Sequence, residues 1–284
     1  MRLLVALDLQ TEGHHWLMDQ GSRVAAMSGG TLDLLYVQTD PTVSESQLKS
    51  FQHRLDEMAR LIPVELRGET RIVAGDLIPV LSTESRSYEG MVVGPREPGA
   101  FERLFKGTIA TRVMREAQCP VVIPRHTGEK PVKAPKCLVG LDLNKSNTDW
   151  MLAQASDWVS AMGGTVDAAF VDEKPPVAGI RNADIRLAAR KEWELVQAKW
   201  RRVVQAGLDR MDEQVRGEPL ILSGDPAVEL VGQSKNYDYV IVGNLEHTGL
   251  RGYLLGSVAS HVVRNAQCDV ITLPAAAYLK EHGK

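Results

Sequence analysis

The second half of this chain repeats the first, and this internal repeat limits the fold more than any other feature. The segment from Arg2 to Leu9 returns 134 residues later, from Lys136 to Leu143. The segment from Gly29 to Val37 returns at the same offset, and three further blocks return 149 residues later. Those blocks are Ala74–Leu77 with Ser223–Pro226, Val92–Gly94 with Ile241–Gly243, and Ala117–Cys119 with Ala266–Cys268. Matched blocks in a single order indicate a duplicated domain.

Within each copy, short β-branched runs alternate with amphipathic stretches of helical periodicity. In the first copy we expect strands near residues 2–7, 31–37, 69–73, 90–93 and 120–123, and helices over 12–27, 44–61, 78–88 and 108–116. Apolar strands that alternate with helices predict right-handed crossovers onto a parallel sheet that is covered on both faces. We therefore expect two tandem doubly wound α/β domains, each with a five-stranded parallel sheet. The predicted domains are residues 1–126 and 136–284, joined by a proline-containing linker over 127–135.

Composition and charge exclude several classes of protein. With 44% hydrophobic and 24% charged residues, the chain is neither disordered nor collagen-like. Its 33 basic residues are outnumbered by 36 acidic ones, so the basic footprint of a nucleic-acid-binding protein is missing. The apolar run from Leu3 to Leu7 is too short for a signal peptide or a membrane span, so we expect a cytoplasmic protein without membrane contact. Cys119, Cys137 and Cys268 form no CxxC pair, and we expect them to be buried packing residues.

The second copy has 15 extra residues between Val171 and Gly224, and these lengthen its second helix. Apolar side chains recur there at spacings near three and four, and residues 182–206 contain neither glycine nor proline. We expect a helix of about 30 residues, about 45 Å long, whose far end overhangs or packs against the first copy. Trp193 and Trp200 on its apolar face are either core residues or part of an inter-domain or dimer contact.

An aspartate follows the first strand of each copy, at Asp8 and Asp142. In an open parallel sheet, ligands bind beyond the carboxyl ends of the strands, where the strand order reverses. A carboxylate at that place can accept hydrogen bonds from a nucleoside, because its oxygens are acceptors. Both aspartates are therefore candidate ligand residues.

Glycines follow the fourth strand of each copy and precede the last helix. The fourth strands lead into Gly94 and Gly243, and a glycine with a hydroxyl residue then opens the last helix. A glycine at the end of a strand lets a ligand approach the backbone closely. The start of a helix offers free N–H groups and the positive end of a dipole to phosphate. The helix-opening pairs are Gly107-Thr108 and Gly256-Ser257.

These motifs resemble those of the universal stress proteins in their tandem two-domain form. The resemblance rests on the strands that end before Asp8 and Asp142, on Gly224–Ala227, on the glycine loops, and on residues 117–122, which look like the family's terminal strand. It covers essentially the whole chain and implies a flavodoxin-like fold for each domain. It also implies that the two terminal strands pair within the chain as an intramolecular pseudo-dimer, with a homodimer as a further alternative.

Many proteins of that family bind ATP through a loop written Gly-x2-Gly-x9-Gly-Ser/Thr and the aspartate after the first strand. Here Glu97 and Glu246 replace the second glycine of the loop. A carboxylate about 5 Å from a phosphate charge costs about 3 kcal/mol at an effective dielectric of about 20. If ATP binds, we expect it in the second copy, because that copy has donor side chains at His247, Thr248 and Arg251. The candidate residues are Asp8, Gly94, Gly107 and Thr108 in the first copy, and Asp142, Val171, Gly243, Gly256, Ser257 and Val258 in the second.

Three classes of function remain open from the sequence. The leading one is a non-catalytic stress-response module that responds to a nucleotide or another small ligand and acts on an unknown protein partner. The second is a ligand-independent scaffold in which the long helix makes the functional contact. The third is a slow ATPase, which has the least support because no repeated motif provides both a cation site and a charge-stabilising Lys or Arg.

Two motifs are assigned no ligand role. The segment Ser28–Asp33 resembles the phosphate loop of ATP pyrophosphatases, but it precedes the second strand and does not follow the first. Its glycines are expected to end a helix. The adjacent His14 and His15 are expected at a helix start, because neighbouring residues on a helix point in different directions and do not converge on a metal ion.

Overall fold

The computed structural model describes residues 1–9, 15–94, 108–125, 134–143, 145–172, 182–243 and 256–274. In this part of the chain, strands and helices alternate as the sequence predicts. The strands are β1 (Arg2–Leu7), β2 (Thr31–Gln38), β3 (Arg67–Ala74), β4 (Gly90–Val92), β5 (Val121–Ile123), β6 (Lys136–Leu141), β7 (Thr165–Asp172), β8 (Arg216–Ser223), β9 (Tyr239–Gly243) and β10 (Asp269–Leu273). The helices are α1 (His15–Met27), α2 (Glu45–Arg60), α3 (Leu77–Glu84), α4 (Thr108–Glu116), α5 (Lys145–Ala161), α6 (Ala183–Leu208), α7 (Pro226–Ser234) and α8 (Ser257–Asn265).

The chain divides into two compact units, and the first holds β1–β5, α1–α4 and the last strand, β10. Its strand order is β3-β2-β1-β4-β5-β10. Because β1 pairs in parallel with β2 on one side and with β4 on the other, the strand order reverses between β1 and β4. β10 runs antiparallel to β5, with Val270 opposite Ile123 and Thr272 opposite Val121. The terminal strands of the two copies therefore pair within this unit, as the family resemblance implies.

The second unit holds β6–β8, β9 as far as Val242, and α5–α8, with the strand order β9-β6-β7-β8. β6 pairs in parallel with β7 and with β9, and β7 pairs in parallel with β8. The register matches that of the first unit, since Leu3 lies opposite Gly90 and Cys137 lies opposite Tyr239. The repeated sequence thus folds twice into the predicted doubly wound α/β arrangement.

A buried aspartate ties the amino ends of the strands together in the first unit. Asp33 accepts hydrogen bonds from the hydroxyl of Tyr88 at 2.9 Å and from the backbone N–H of Glu69 at 3.0 Å. It also forms an ion pair with Arg2 at 2.6 Å. A buried carboxylate is tolerated only where it is paired and hydrogen-bonded, and these partners meet that condition. A Cβ at Gly68 would lie 1.9 Å from the Asp33 carboxylate, so only glycine fits beside it.

Asp167 has the equivalent partners in the second unit. It accepts hydrogen bonds from the hydroxyl of Tyr237 and the backbone N–H of Glu218, each at 2.8 Å, and Lys136 pairs with it at 2.9 Å. These contacts lie near the amino end of the sheet, away from the carboxyl ends where ligands bind. The aspartate of the Ser28–Asp33 motif is therefore part of the structural core.

Helix α6 has 26 residues, so it is about 39 Å long and somewhat shorter than the predicted 30 residues. Its buried residues all lie near its carboxyl end: Val204, Gly207 and Leu208. Residues 182–188 are all exposed. Trp200 is half-buried and packs on Phe170 of β7, with 5.2 Å between ring centroids. Trp200 therefore contributes to the edge of the core of its own unit, and Trp193 is also half-buried.

Candidate functional site

Asp142 leaves the second unit's sheet where the strand order reverses. It directly follows β6, which pairs with β9 so that Val139 lies opposite Ile241. Gly243 is the last residue of β9, at the carboxyl end of the strand that pairs in parallel with β6. Val171 is the next-to-last residue of β7, on the other side of β6. Three of the candidate residues thus belong to the edge at which open parallel sheets bind ligands.

Asn147 holds the carboxylate of Asp142. Its Nδ2 donates a hydrogen bond to Oδ2 of Asp142 over 2.6 Å. Asn147 is only 8% exposed, whereas Asp142 is exposed. Between them Leu143 has a φ of +55°, a left-handed conformation that costs a bulky residue about 1 to 2 kcal/mol. The chain therefore turns sharply after Asp142, and α5 begins close to the carboxylate.

The start of α8 provides the second element of the candidate site. Ser257 is the first residue of the helix and is exposed, while Gly256 and Val258 on either side are half-buried. The first N–H groups of any helix have no partner within the helix. An exposed helix start can therefore bind an anion such as phosphate.

The corresponding residues of the first copy are only partly described. Asp8 follows β1 and is exposed, and Thr108 is the first residue of α4. Gly107 lies outside the described residues, as do Glu97 and Glu246. The structure therefore describes Asp8 and Thr108 of the first copy's candidate site, whereas the glycine loop between them in the site lies outside the described residues.

Gly94 has a packing role in the first copy. It lies two residues after β4, and a Cβ there would lie 3.0 Å from Cδ1 of Leu17 and 3.3 Å from the ring of Trp16. A larger residue would push against α1, which carries both side chains. Close packing on α1 thus favours glycine at this position, whatever its role toward a ligand. His15 begins that helix and is exposed, and His14 lies outside the described residues.

The Gly224–Ala227 block forms the turn from β8 into α7. Gly224 has a φ of +144°, and Gly75 has a φ of +145° at the same place in the first copy. Asp225 then caps α7, because its carboxylate accepts hydrogen bonds from the N–H groups of Ala227 at 2.9 Å and Val228 at 3.0 Å. The residues that carried part of the family resemblance thus have a local structural role.

The three cysteines are buried, as the sequence predicts. Burial raises the pKa of Cys119 to about 12 and the pKa of Cys137 well above its ordinary value. A thiolate is the reactive and metal-binding form of cysteine, and it is disfavoured at both positions. Across the described ranges, no group of three or more His, Cys, Asp or Glu side chains is arranged to hold a metal ion.

Sequence reasoning did not single out Asn147 as a site residue. An asparagine near a helix start is ordinarily a cap, and this one lies five residues beyond Asp142. The available signal was a difference between the copies, since Gly13 occupies the matching position in the first copy at the offset of 134. A residue that differs between two otherwise matched copies marks a place where their sites differ.

Comparisons with known proteins agree with this architecture. The model of the universal stress protein family matches the chain twice, over residues 1–125 and 134–274. The chain belongs to the universal stress protein family. The universal stress protein Rv2623 of Mycobacterium tuberculosis is 28% identical over 273 residues, which cover 87% of this chain and 84% of that protein. Rv2005c of the same species is 28% identical over 210 residues, covering 73% and 69% of the two chains.

A solved universal stress protein from Archaeoglobus fulgidus shares the fold. It matches with a TM-score of 0.64 and 19% identity over 96% of each chain. At that identity the match establishes the fold alone. The two family matches follow the internal repeat, so this universal stress protein is of the tandem type. None of its helices within the described residues is long and apolar enough to cross a bilayer.

Proposed function

We propose that this universal stress protein is a non-catalytic stress-response module that responds to an adenine nucleotide such as ATP, held by its second copy. The observation that carries the proposal is the exposed Asp142, which follows the central strand at the reversal of strand order and is held by Asn147. The domain boundaries at 1–126 and 136–284 are part of the same proposal.

Each part of the candidate site suits one part of a nucleotide. Asp142 accepts hydrogen bonds from the nucleoside, since a carboxylate offers only acceptors. The N–H groups at the start of α8, where Ser257 lies, bind phosphate. Gly243 lets the ligand approach the backbone at the end of β9. The first copy has Asp8, and Gly13 occupies the position there that matches Asn147.

The module acts by linkage between ligand and conformation. A ligand that binds one arrangement of the glycine loops more tightly than another shifts the population toward it. The surface presented to a protein partner then changes with nucleotide concentration. No catalytic base is assigned, because the two copies repeat no set of residues suited to phosphoryl transfer.

Nucleotide complexes are known for other proteins of this family. One universal stress protein has been solved with cAMP, and one from Archaeoglobus fulgidus has been solved with dAMP. Each matches half of this chain, with TM-scores of 0.34 and 0.31, which are too low to place a ligand here. The support for the proposal comes from the geometry around Asp142 and not from these two complexes.

Equilibrium dialysis tests the proposal. The freshly purified protein is denatured and the small molecules it releases are identified by mass spectrometry. Protein stripped of nucleotide is then dialysed against ATP, ADP and AMP. We expect at least one of them to bind below millimolar concentration. An absence of binding by all three at millimolar concentration contradicts the proposal.

A ligand-independent scaffold is the second candidate, and the exposed apolar side chains of α6 favour it. Leu195 is 74% exposed and Leu187 is 55% exposed, both on a helix whose amino-terminal half is largely in contact with solvent. Replacing both leucines with glutamine should abolish partner capture or self-association and leave the fold intact. The matched control replaces Val228, which is 57% exposed on α7. If the two variants capture partners and self-associate to the same extent, the scaffold function is contradicted.

A further inference from the structure

The two repeated units end in matching edge strands, β3 in the first unit and β8 in the second. Among the described residues each of them pairs with one neighbouring strand, β3 with β2 and β8 with β7. The free side of an edge strand is a template for pairing with another chain, and proteins protect such edges with proline, with charge or with a covering element. The two edges differ in this protection.

The edge of β8 is blocked at Pro219. At the end of the strand, Gly224 donates its N–H to Asp172 of β7 at 3.1 Å. Because N–H directions alternate along a strand, the backbone of position 219 faces away from β7. Proline has no N–H to offer there. Its carbonyl is occupied as well, since Arg201 of α6 donates a hydrogen bond to it over 3.0 Å.

The edge of β3 keeps its outward N–H at the matching position, Thr70. Gly75 donates its N–H to Gln38 of β2 at 3.0 Å, so by the same alternation the N–H of Thr70 faces away from β2. Gln52 occupies the position that matches Arg201, and its amide donates to the hydroxyl of Thr70 at 3.1 Å and not to the carbonyl. The first unit therefore lacks both devices that block the edge of the second.

The side chains on either side of Thr70 carry opposite charges and lie on one face of the sheet. Glu69 pairs with Arg2 at 2.8 Å, and Arg2 lies over the ring of Tyr88. Arg71 donates to the hydroxyl of the same tyrosine at 3.0 Å. When β3 strands of two molecules pair antiparallel about Thr70, Glu69 of each molecule faces Arg71 of the other. Opposite charges at facing positions stabilise paired strands.

Two exposed apolar side chains precede β3. Leu61 is 57% exposed and Val64 is 76% exposed. The matching positions of the second unit hold the charged residues Arg210 and Glu213. Antiparallel pairing about Thr70 brings the segment before β3 of one molecule alongside the end of β3 of the other. Apolar surface thus adjoins the edge of the first unit, where a partner can cover it, and charge adjoins the edge of the second.

We propose that the β3 edge is a homodimer interface, at which two molecules of this protein pair antiparallel about Thr70. The charges favour a second molecule of the same protein, because in this register Glu69 meets Arg71 twice. Pairing about Arg71 would place like charges face to face, so charge also selects the register. A two-fold contact closes on itself, and Pro219 blocks the corresponding contact through β8. This interface is separate from the nucleotide site proposed above.

Analytical ultracentrifugation over a concentration series tests the proposal, and the unaltered protein should form a dimer. Thr70→Pro removes the outward N–H, as proline does in β8, and should raise the dimer dissociation constant about tenfold or more. Thr70→Val is the matched control, because it loses the hydroxyl bonds to Gln52 and Asp56 but keeps the N–H, and it should dimerise like the unaltered protein. An unaltered protein that stays monomeric, or a Thr70→Pro dimer as tight as the unaltered one, contradicts the proposal.

A mixing experiment tests the register. Glu69→Lys and Arg71→Glu each place like charges opposite one another in their own dimers, so each alone should dimerise about tenfold more weakly. In a mixed dimer every altered side chain faces an opposite charge, so an equimolar mixture should recover the dimer. Glu218→Lys makes the same change at the matching position of β8 and should leave dimerisation unchanged. A mixture that recovers no dimer, or an equal loss in Glu218→Lys, contradicts the proposal. If Arg71→Glu does not fold, the pair Thr70→Pro and Thr70→Val still decides it.

Discussion

The hydroxyl of Tyr237 donates a 2.8 Å hydrogen bond to the buried carboxylate of Asp167. Tyr88 and Asp33 repeat this contact at 2.9 Å in the first copy. The two networks show that duplication preserved the polar interior of each unit along with its apolar core. They also give the fold a feature that can be tested separately from any ligand.

Removing one phenol hydroxyl should destabilise its unit. In Tyr237→Phe the Asp167 carboxylate stays buried and loses one donor, so the free energy of unfolding should fall by about 1 to 3 kcal/mol. Urea unfolding followed by circular dichroism measures this. The control is Thr42→Val, which removes a hydroxyl bonded to the exposed Asp40, with an expected change of about 0.5 kcal/mol or less. Similar losses in the two variants would argue against a structural role for the network.

Alkaline pH should weaken the first network. Burial, and then the hydrogen bond to Asp33, raises the pKa of Tyr88 to about 12. The ordinary pKa of tyrosine is about 10, so between pH 10 and 12 the unfolded state loses a proton that the folded state keeps. The stability from this group is full below pH 10 and is lost as pH rises through 12. Tyr88→Phe should therefore lose less stability than the unaltered protein between pH 9 and 12. If urea unfolding shows equal losses of stability in Tyr88→Phe and in the unaltered protein over this pH range, this assignment is contradicted.

Two glycines should respond oppositely to alanine. Gly224 has a φ of +144°, which an alanine adopts only with strain, so Gly224→Ala should lower the free energy of unfolding by more than about 1 kcal/mol. Gly232 lies within α7, and a Cβ there would meet nothing within 4 Å. Gly232→Ala should therefore raise stability by about 0.4 to 1 kcal/mol. Thermal unfolding measures the change in stability of each variant. A change of the same sign in both variants would contradict the account of the turn.

The two matched aspartates that precede α3 and α7 should differ in their contributions. Asp225 caps α7 through two backbone N–H groups, whereas Asp76 makes no side-chain capping bond to α3. Asp225→Ala should cost about 1 kcal/mol of stability, and Asp76→Ala should cost much less. Chemical unfolding of the two variants under one set of conditions compares them. A larger loss at Asp76 would show that the cap assignment is wrong.

The sequence predicted the repeat, the alternation of strands and helices and the positions of Asp8 and Asp142, because these depend on local patterns. It did not predict that Asp33 is the centre of a buried network. Its partners Arg2 and Tyr88 lie 31 and 55 positions away in the chain, so only the folded sheet brings them together. Likewise, the contact between Asn147 and Asp142 depends on the left-handed turn at Leu143, which no propensity scale anticipates for leucine.

The most direct test of the central claim is a calorimetric titration of nucleotide-stripped protein with ATP, carried out on the unaltered chain and on two matched variants. The account predicts one ATP per chain, an affinity at least about tenfold lower in Asp142→Ala, and an unchanged affinity in Asp8→Ala. Two bound ATP molecules per chain, or an equal loss of affinity in both variants, would contradict the assignment of the nucleotide to the second copy.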